Sequence, residues 1–207
     1  PNPFLPRPSS RAVRLHPAVA SWFARTFPDG PTEGQARAIP LVAEGKDLLL
    51  SSPTGTGKTL AGFLAILSAL LDDADAGTLG EGIQCVYVSP LKALVHDVAR
   101  NLERPLAAID PEGRLRVGIR TGETSASERA RHVRAPPHLM VTTPESLALM
   151  LAAPRLRAPL ARVRWVLVDE AHALAGTKRG AHLALALERL EERCAARPTR
   201  VGMSATV

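Results

Sequence analysis

Short apolar runs that alternate with helical stretches constrain the fold of this chain more than any other feature. The six runs cover residues 47–52, 83–89, 115–120, 138–142, 163–168 and 200–203. Several are apolar almost throughout, as in residues 48–50 and 166–168. Strands that are apolar on both faces belong in a sheet that is covered on both sides. Because strands that alternate with helices form parallel sheets with right-handed crossovers, the sequence predicts an α/β domain with helices on both faces of a parallel sheet.

The segments between these runs carry the periodicity of helices. Helices are predicted over residues 60–71, 93–106, 144–152 and 181–196. The second of them has one apolar face, formed by Leu94, Val95, Val98, Ala99 and Leu102. Residues 72–82 are rich in Gly and Asp, which predicts a surface loop.

The length of 207 residues suits one well-cored domain. Residues 1–14 are basic and rich in Pro, which predicts a flexible lead-in to a domain over residues 15–207. No apolar run reaches the roughly 18 residues that a membrane span needs, and the first residues lack the apolar stretch of a signal peptide. Cys85 and Cys194 have neither metal-ligand nor disulfide spacing. We therefore expect a cytoplasmic protein with no membrane contact.

The charge of the chain favours a polyanionic partner. The net charge is +6 with a pI near 10.1, and 22 of the 26 basic residues are Arg. A basic excess attracts polyanions such as nucleic acids. An abundance of Arg also fits a GC-rich genome, so the charge alone does not identify the partner.

Residues 52–59 have the sequence SPTGTGKT and lie between a predicted strand and a predicted helix, the context of a phosphate-binding loop. Gly55 and Gly57 would let successive backbone N–H groups point at a phosphate, and the helix start adds partial positive charge. Lys58 would reach the β- and γ-phosphates, while the Thr59 hydroxyl would bind Mg²⁺. The predicted nucleotide contacts are Thr54, Gly55, Thr56, Gly57, Lys58 and Thr59. The alternative is a plain turn rich in Gly and Thr.

A second motif, DEAH at residues 169–172, follows directly on an apolar run. It places two carboxylates at the carboxyl end of a strand, where parallel sheets build their sites. Asp169 would hold Mg²⁺ through water, and Glu170 would orient or deprotonate an attacking water. A buried carboxylate pair without a cation is unfavourable, which favours a metal partner. The alternative is an acidic strand end that caps the next helix.

The order of these motifs resembles that of the DEAD/DEAH-type helicases of superfamily two. The series comprises Gln35, residues 53–59, PLKAL at 90–94, TPE at 143–145, DEAH at 169–172 and SAT at 204–206. Within the superfamily the chain most resembles the bacterial large helicase-related (Lhr-type) proteins. That resemblance rests on VSPLKAL at 88–94, RTGET at 120–124, TTPESL at 142–147 and TKRGAHL at 177–183. The chain departs from many Lhr-type proteins at Ala171, where they carry Ile.

The resemblance implies a RecA-like P-loop NTPase domain of an ATP-driven translocase. Such a protein moves 3′-to-5′ on single-stranded DNA, unwinds DNA or RNA–DNA hybrids and acts in DNA repair. Its second RecA-like domain, with an arginine finger, would lie outside this chain, so we expect these residues alone to be nearly inactive. The implied catalytic residues are Lys58, Asp169, Glu170 and His172. The alternative is a nucleotide- or nucleic-acid-binding module that does not catalyse.

Gln35 is implied to contact the adenine edge of ATP, because a side-chain amide offers both a donor and an acceptor. The competing interpretation is a capping box, in which Gln35 bonds back to Thr32. Phe27 has two interpretations as well, packing near the adenine or packing in the core with residues 19–23.

Three loops are implied to bind the nucleic-acid backbone. Each passes from a strand towards a helix start, where free N–H groups can bind phosphates without reading bases. The residues are Pro90, Leu91, Lys92, Arg120, Thr121, Thr124, Thr143, Pro144 and Glu145. The alternative is a set of ordinary turns between strand and helix, with Pro144 at the first helical position.

Two further groups complete the implied site. Lys178 and Arg179 precede the helix predicted from residue 181, where positive charge is unfavourable. We hypothesise that they contact nucleic acid; the alternative is two solvated side chains. In the family the residue at His172 bonds towards Ser204 and Thr206, which couples the nucleotide state to the grip on nucleic acid.

Overall fold

Within residues 14–53 and 57–205, which the computed structural model describes, six strands form one parallel sheet. The strands are β1 Leu48–Ser51, β2 Cys85–Val88, β3 Val117–Arg120, β4 Leu139–Thr142, β5 Trp165–Val168 and β6 Thr199–Ser204. Their order across the sheet is β1-β6-β5-β2-β4-β3, and every pair is parallel. All six predicted strands are confirmed, with ends shifted by a few residues at most.

Helices connect the strands. They are α1 Pro17–Thr26, α2 Glu33–Ala43, α3 Lys58–Asp75, α4 Lys92–Ile109, α5 Ala126–Arg134, α6 Pro144–Ala152, α7 Arg157–Leu160, α8 Ala171–Leu174 and α9 Lys178–Glu191, with a 3₁₀ turn at Pro154–Leu156. Among the described residues, no helix is both long and apolar enough to span a membrane.

Two apolar cores, one on each face of the sheet, hold the helices in place. Alternate residues of a strand point to opposite faces, so Tyr87 of β2 packs with Phe63 and Leu67 of α3. Its neighbour Val86 packs on the other face with Leu147 of α6 and residues of α9. Burying a large apolar side chain stabilises the fold by about 1.5–3 kcal/mol. The double-sided core explains why the strands are apolar almost throughout.

Two predicted boundaries are wrong. The helix α3 continues to Asp75, so the loop predicted over residues 72–82 begins with helix. Cations compensate the carboxylates at this helix end, where negative charge is unfavourable: Arg164 pairs with Asp73, and Arg114 lies 2.6 Å from Asp75. The helix α9 begins at Lys178 and ends at Glu191, whereas residues 181–196 were predicted.

Candidate functional site

The parallel sheet brings the carboxyl ends of its strands to one edge, and the predicted site residues follow these ends. We call Gly57, Lys58, Thr59, residues 169–172 and Ser204, which lie around the ends of β1, β6 and β5, the P-loop half. We call the loops after β2, β4 and β3, together with the start of α9, the outer half.

The phosphate loop turns into α3 at Gly57. Gly57 has φ +78°, a conformation that favours glycine, and a Cβ there would lie 2.5 Å from Nε2 of Gln35 and would displace that amide. Lys58 is the first residue of α3, and its ammonium donates to the carbonyls of Ser52 and Pro53, the latter at 2.9 Å. The predicted contacts Thr54, Gly55 and Thr56 lie outside the described residues.

Gln35 serves the capping box and the phosphate loop together. Its side-chain Oε1 accepts from the backbone N–H of Thr32 at 3.0 Å, and its backbone N–H donates to the Thr32 hydroxyl at 3.3 Å. Its Nε2 donates to the carbonyl of Gly57 at 3.3 Å. The capping box is therefore confirmed. Counting contacts with the described residues only, one N–H and one lone pair of the amide remain, the pair that an adenine edge needs, so adenine contact stays a prediction.

Phe27 packs against other rings of α1. Its ring centroid lies 5.0 Å from that of Phe23 and 6.0 Å from that of Trp22. Phe27 follows the last residue of α1 and is 36% exposed, so it packs with these two rings at the surface and not in the core, and packing near the adenine stays a prediction.

Asp169 is held by two donors. The N–H of Glu170 donates to its Oδ1 at 2.9 Å, and the hydroxyl of Tyr87 donates to its Oδ2. Tyr87 is 1% exposed and stacks on Phe63. Burial, followed by the charge of Asp169, raises the pKa of Tyr87, so the phenol remains a donor; the nearby side chain of Thr59 opposes this rise in pKa. Tyr87 thus lies between both predicted Mg²⁺ ligands.

Sequence reasoning missed Tyr87, although a signal was present. In an apolar strand that is buried on both faces, a Tyr hydroxyl needs a hydrogen-bond partner. The adjacent strand β5 ends at the acidic motif and supplies that partner.

Glu170 has a strained backbone. It is the only non-glycine residue with positive φ among residues 14–53 and 57–205, at φ 48° and ψ 42°. The left-handed conformation costs about 1–2 kcal/mol for such a residue. Its carboxylate lies 3.3 Å from Nε2 of His172, and Nδ1 of His172 lies 3.0 Å from Oγ of Ser204. The predicted approach of His172 to Ser204 is therefore present, whereas Thr206 lies outside the described residues.

The oxygen ligands at this half fit Mg²⁺. No group of three or more His, Cys, Asp or Glu side chains gathers for a metal anywhere in the described part of the chain. Asp169 and Thr59 offer two oxygens, and Mg²⁺ in nucleotide sites takes its remaining ligands from phosphates and water. Each Asp169 oxygen accepts one hydrogen bond from the described residues and has further lone pairs that a metal ion could use.

In the outer half, the predicted threonines stabilise their own loops. The hydroxyl of Thr143 accepts from the N–H of Ser146 at 3.3 Å and caps α6, with Pro144 at the first helical position. The hydroxyl of Thr124 accepts from the N–H of Thr121 at 2.8 Å. These contacts match the alternative of ordinary turns, so contact of these threonines with nucleic acid stays a prediction.

Two cations of the outer half, Lys92 and Arg179, are paired with carboxylates. Lys92 lies 2.7 Å from Oε1 of Glu123. The guanidinium of Arg179 donates to both carboxylate oxygens of Glu145, at 2.6 and 3.2 Å, and to the carbonyl of Pro90 at 2.9 Å. Hydrogen bonding between them lowers the pKa of Glu145 and raises that of Arg179. Arg179 therefore ties together the start of α9 and the loops after β2 and β4.

Lys178 and Arg179 lie inside the first turn of α9, and the prediction that they precede the helix is wrong. The hydroxyl of Thr177 accepts from the N–H of Gly180 at 3.0 Å and caps the helix ahead of both. Glu145 offsets the charge of Arg179 at this helix start.

The sequence resembles known helicases over nearly its whole length. Residues 32–207 match the sequence profile described as DEAD/DEAH box helicase. The chain is 51% identical over 200 residues to the ATP-dependent helicase Lhr-Core of Methanothermobacter thermautotrophicus, covering 93% of this chain and 23% of that protein. It is 45% identical over 215 residues to the Lhr helicase/uracil glycosylase of Escherichia coli, covering 98% of this chain and 14% of that protein. The chain thus spans less than a quarter of the length of these relatives.

The fold is similar to that of solved helicases. The Mycobacterium smegmatis helicase Lhr, solved with single-stranded DNA and AMP-PNP, matches with a TM-score of 0.85 at 44% identity, over 94% of this chain and 25% of that one. The helicase MrfA bound to DNA and AMP-PNP matches with a TM-score of 0.81 at 22% identity, over 95% of this chain and 27% of that one, which concerns the fold alone. The predicted RecA-like P-loop NTPase fold is confirmed.

Proposed function

Because the chain belongs to the DEAD/DEAH box helicase family, we propose that it is the ATP-binding domain of an ATP-dependent nucleic-acid helicase or translocase. The observation that carries the proposal is that the P-loop half and the outer half lie side by side along one edge of one sheet. Strand β2 joins them, since Tyr87 bonds Asp169 while the same strand leads into Pro90. A change of nucleotide at one half can therefore reach the loop that grips nucleic acid at the other.

At the P-loop half, neighbouring residues position the side chains that bind ATP and hydrolyse it. Lys58 leaves its two carbonyl partners and binds the β- and γ-phosphates. Glu170 orients or deprotonates the attacking water, with His172 beside its carboxylate. Gln35 offers adenine its remaining N–H and lone pair. The other proposed nucleotide contacts are Thr54, Gly55, Thr56 and Gly57.

We assign Mg²⁺ to Asp169 and Thr59. These two side chains would hold the ion, which would supply positive charge to offset the negative charge of the phosphates. The hydroxyl of Tyr87 and the N–H of Glu170 fix the orientation of the Asp169 carboxylate. Outer-shell donors of this kind orient metal ligands and raise metal affinity.

At the outer half, backbone N–H groups at the starts of α4 and α6 bind the phosphates of a single strand. Arg179 and Glu145 brace the loops that present these groups, and the exposed Lys178 keeps its charge for the strand. The residues proposed to line this track are Pro90, Leu91, Lys92, Arg120, Thr121, Thr124, Thr143, Pro144 and Glu145. His172 links the track to the nucleotide through Ser204 and Thr206.

The full-length protein is proposed to move 3′-to-5′ on single-stranded DNA and to unwind DNA or RNA–DNA duplexes, in DNA repair. Residues 15–207 form the domain, residues 1–14 lead into it, and a second RecA-like domain supplies the arginine finger. We propose a cytoplasmic location for the protein, where ATP and nucleic acid are both available. Support comes from the family match and from the Lhr helicase solved with single-stranded DNA.

Steady-state ATP hydrolysis by the full-length protein, with and without single-stranded DNA, tests this proposal. We expect DNA to stimulate hydrolysis and Glu170→Gln to lower the stimulated rate by about 100-fold or more, because the water loses its base. Residues 1–207 alone should be nearly inactive. If the protein binds ATP and hydrolyses it with neither DNA nor RNA, it is a non-catalytic binding module and the proposal is wrong.

A further inference from the structure

One cavity, of about 580 Å³, lies against α8 and α9. A second cavity lies beyond the edge strand β3 and is lined by charged side chains. This second cavity, of about 480 Å³, lies between α5 and the 3₁₀ turn that follows α6. Three of its lining residues are Arg120, Arg129 and Arg155, and no acidic residue is among the described residues that line it. We call it the edge pocket.

The cations of the edge pocket lack carboxylate partners. Nη1 of Arg120 is buried and has no hydrogen-bond partner in the described part of the chain. Arg129 donates to the backbone carbonyls of Thr124 at 2.9 Å and Gly122 at 3.0 Å, which fixes its guanidinium without neutralising it. Across residues 14–53 and 57–205, none of the three arginines lies within ion-pair distance of a carboxylate.

This arrangement is unfavourable without an anion. Burial, followed by the charge of Arg129, lowers the pKa of Arg120. Buried cations are normally paired, and a buried donor without a partner destabilises the fold. The outer half differs, since Glu123 and Glu145 neutralise Lys92 and Arg179. Unneutralised cationic charge therefore accumulates past the last strand.

The edge pocket continues the line of the proposed track. In the sheet order, β5 is followed by β2, β4 and β3, and β3 is the edge strand. Arg120 is the last residue of β3 and directly precedes Thr121 and the loop that Arg129 holds. A nucleic-acid strand that lies along the ends of these β-strands passes over the edge of the sheet at Arg120.

We propose that the edge pocket binds a phosphodiester of the nucleic-acid strand that occupies the track, so that the footprint extends past the edge of the sheet. This inference rests on the proposed function. Guanidinium groups match the geometry of phosphate oxygens, and the apolar floor formed by Ala130, Val133 and Leu156 suits a sugar. The pocket holds the backbone and does not read bases.

Arg155→Ala in the full-length protein tests the role of the pocket, because Arg155 is exposed while Arg120 and Arg129 are tied to β3 and its loop. Each phosphate contact with a single strand contributes about 0.7 to the slope of log affinity against log salt. We expect the slope to become shallower by about 0.7, so the affinity ratio of wild type to variant falls about 2.6-fold between about 50 and 200 mM salt. Arg157→Ala, also exposed and outside the pocket, should keep the wild-type slope.

A phosphate scan locates the contact. Single-stranded oligonucleotides each carry one neutral methylphosphonate in place of a phosphodiester. We expect one position to weaken binding by the wild type several-fold and not to weaken binding by Arg155→Ala. Arg155→Lys should retain the slope, because it keeps the charge. If Arg155→Ala binds single-stranded DNA as the wild type does, with the same salt dependence and the same response to the methylphosphonates, the proposal for the edge pocket is wrong. The proposed function is not affected by that result. Absence of wild-type binding to single-stranded DNA or RNA overturns both.

Discussion

The P-loop half and the outer half share one sheet edge, yet different interactions hold them. In the P-loop half, buried hydrogen bonds fix single atoms: the carboxylate of Asp169 has two donors, and Glu170 is held in a left-handed conformation. In the outer half, exposed ion pairs join neighbouring loops, as between Arg179 and Glu145. Chemistry on a phosphate depends on exact placement of charge, whereas a grip on a sliding strand must form and break repeatedly. We therefore expect substitutions in the P-loop half to abolish ATP hydrolysis. Substitutions in the outer half should change the affinity for nucleic acid by smaller factors.

The largest expected effect is at Lys58. Replacing Lys58 with Ala removes the cation that we propose reaches the phosphates, so DNA-stimulated ATP hydrolysis should fall by about 100-fold or more. Steady-state kinetics and binding of a fluorescent ATP analogue measure the loss. Lys46→Ala, at an exposed lysine away from this half, is the matched control and should behave as wild type. Equal losses in the two variants would contradict the special role of Lys58.

The next effect tests whether the outer half depends on a rigid start of α9. A Cβ on Gly180 would lie 2.0 Å from the carbonyl oxygen of Leu174, so Gly180→Ala must displace the turn that carries Arg179. Overpacking of this kind destabilises a fold by about 1–3 kcal/mol. We expect a lower melting temperature and weaker binding of single-stranded DNA, with ATP affinity retained. Gly34→Ala, whose Cβ would meet Leu50 at an ordinary 3.7 Å, should change neither property. An unchanged melting temperature for Gly180→Ala would show that this turn adapts.

A substitution at Tyr87 tests whether the buried hydrogen bond to Asp169 affects Mg²⁺ binding at the P-loop half. Tyr87→Phe keeps the ring that stacks on Phe63 and removes the hydroxyl that donates to Asp169. We expect about tenfold more Mg²⁺ to be needed for half-maximal binding of a fluorescent ATP analogue, because outer-shell donors contribute about 10- to 100-fold to metal affinity. Nucleotide binding without Mg²⁺ and affinity for single-stranded DNA should not change. If both nucleotide titrations shift equally, the hydroxyl has a structural role only.

Local patterns predicted most of the fold and the P-loop half. Apolar runs gave the strands, and residues 57–59 and 169–172 lie where their motifs require. The start of α9 was also readable, since Thr177 is a common capping residue, but the positive charge of Lys178 and Arg179 suggested otherwise. The interactions that sequence could not predict are long-range, because periodicity carries no information on pairs of residues far apart in the chain.

The contacts that hold the functional side chains are long-range interactions of this kind. Tyr87 and Asp169 are 82 residues apart, and Arg179 and Glu145 are 34 apart. Each pair meets because strands of one sheet deliver its residues to the same edge; β2 and β5 are neighbours, and β2 alone separates β5 from β4. Sequence analysis assigned Glu145 to nucleic acid, and only the fold revealed its bond to Arg179.

The smallest expected effect is at Glu123, whose carboxylate lies against Lys92. The Lys92 hydrogen bond lowers the pKa of Glu123, so the carboxylate stays charged and competes with a nucleic-acid phosphate for the ammonium. Glu123→Gln should raise the affinity for single-stranded DNA by about twofold, because exposed ion pairs are weak. The salt dependence should also steepen, since a freed Lys92 can contact a phosphate. Glu103→Gln, which removes the same charge from an exposed position on α4, controls for net charge. If both variants gain equally, the gain reflects overall charge, and the ion pair between Glu123 and Lys92 does not regulate the track.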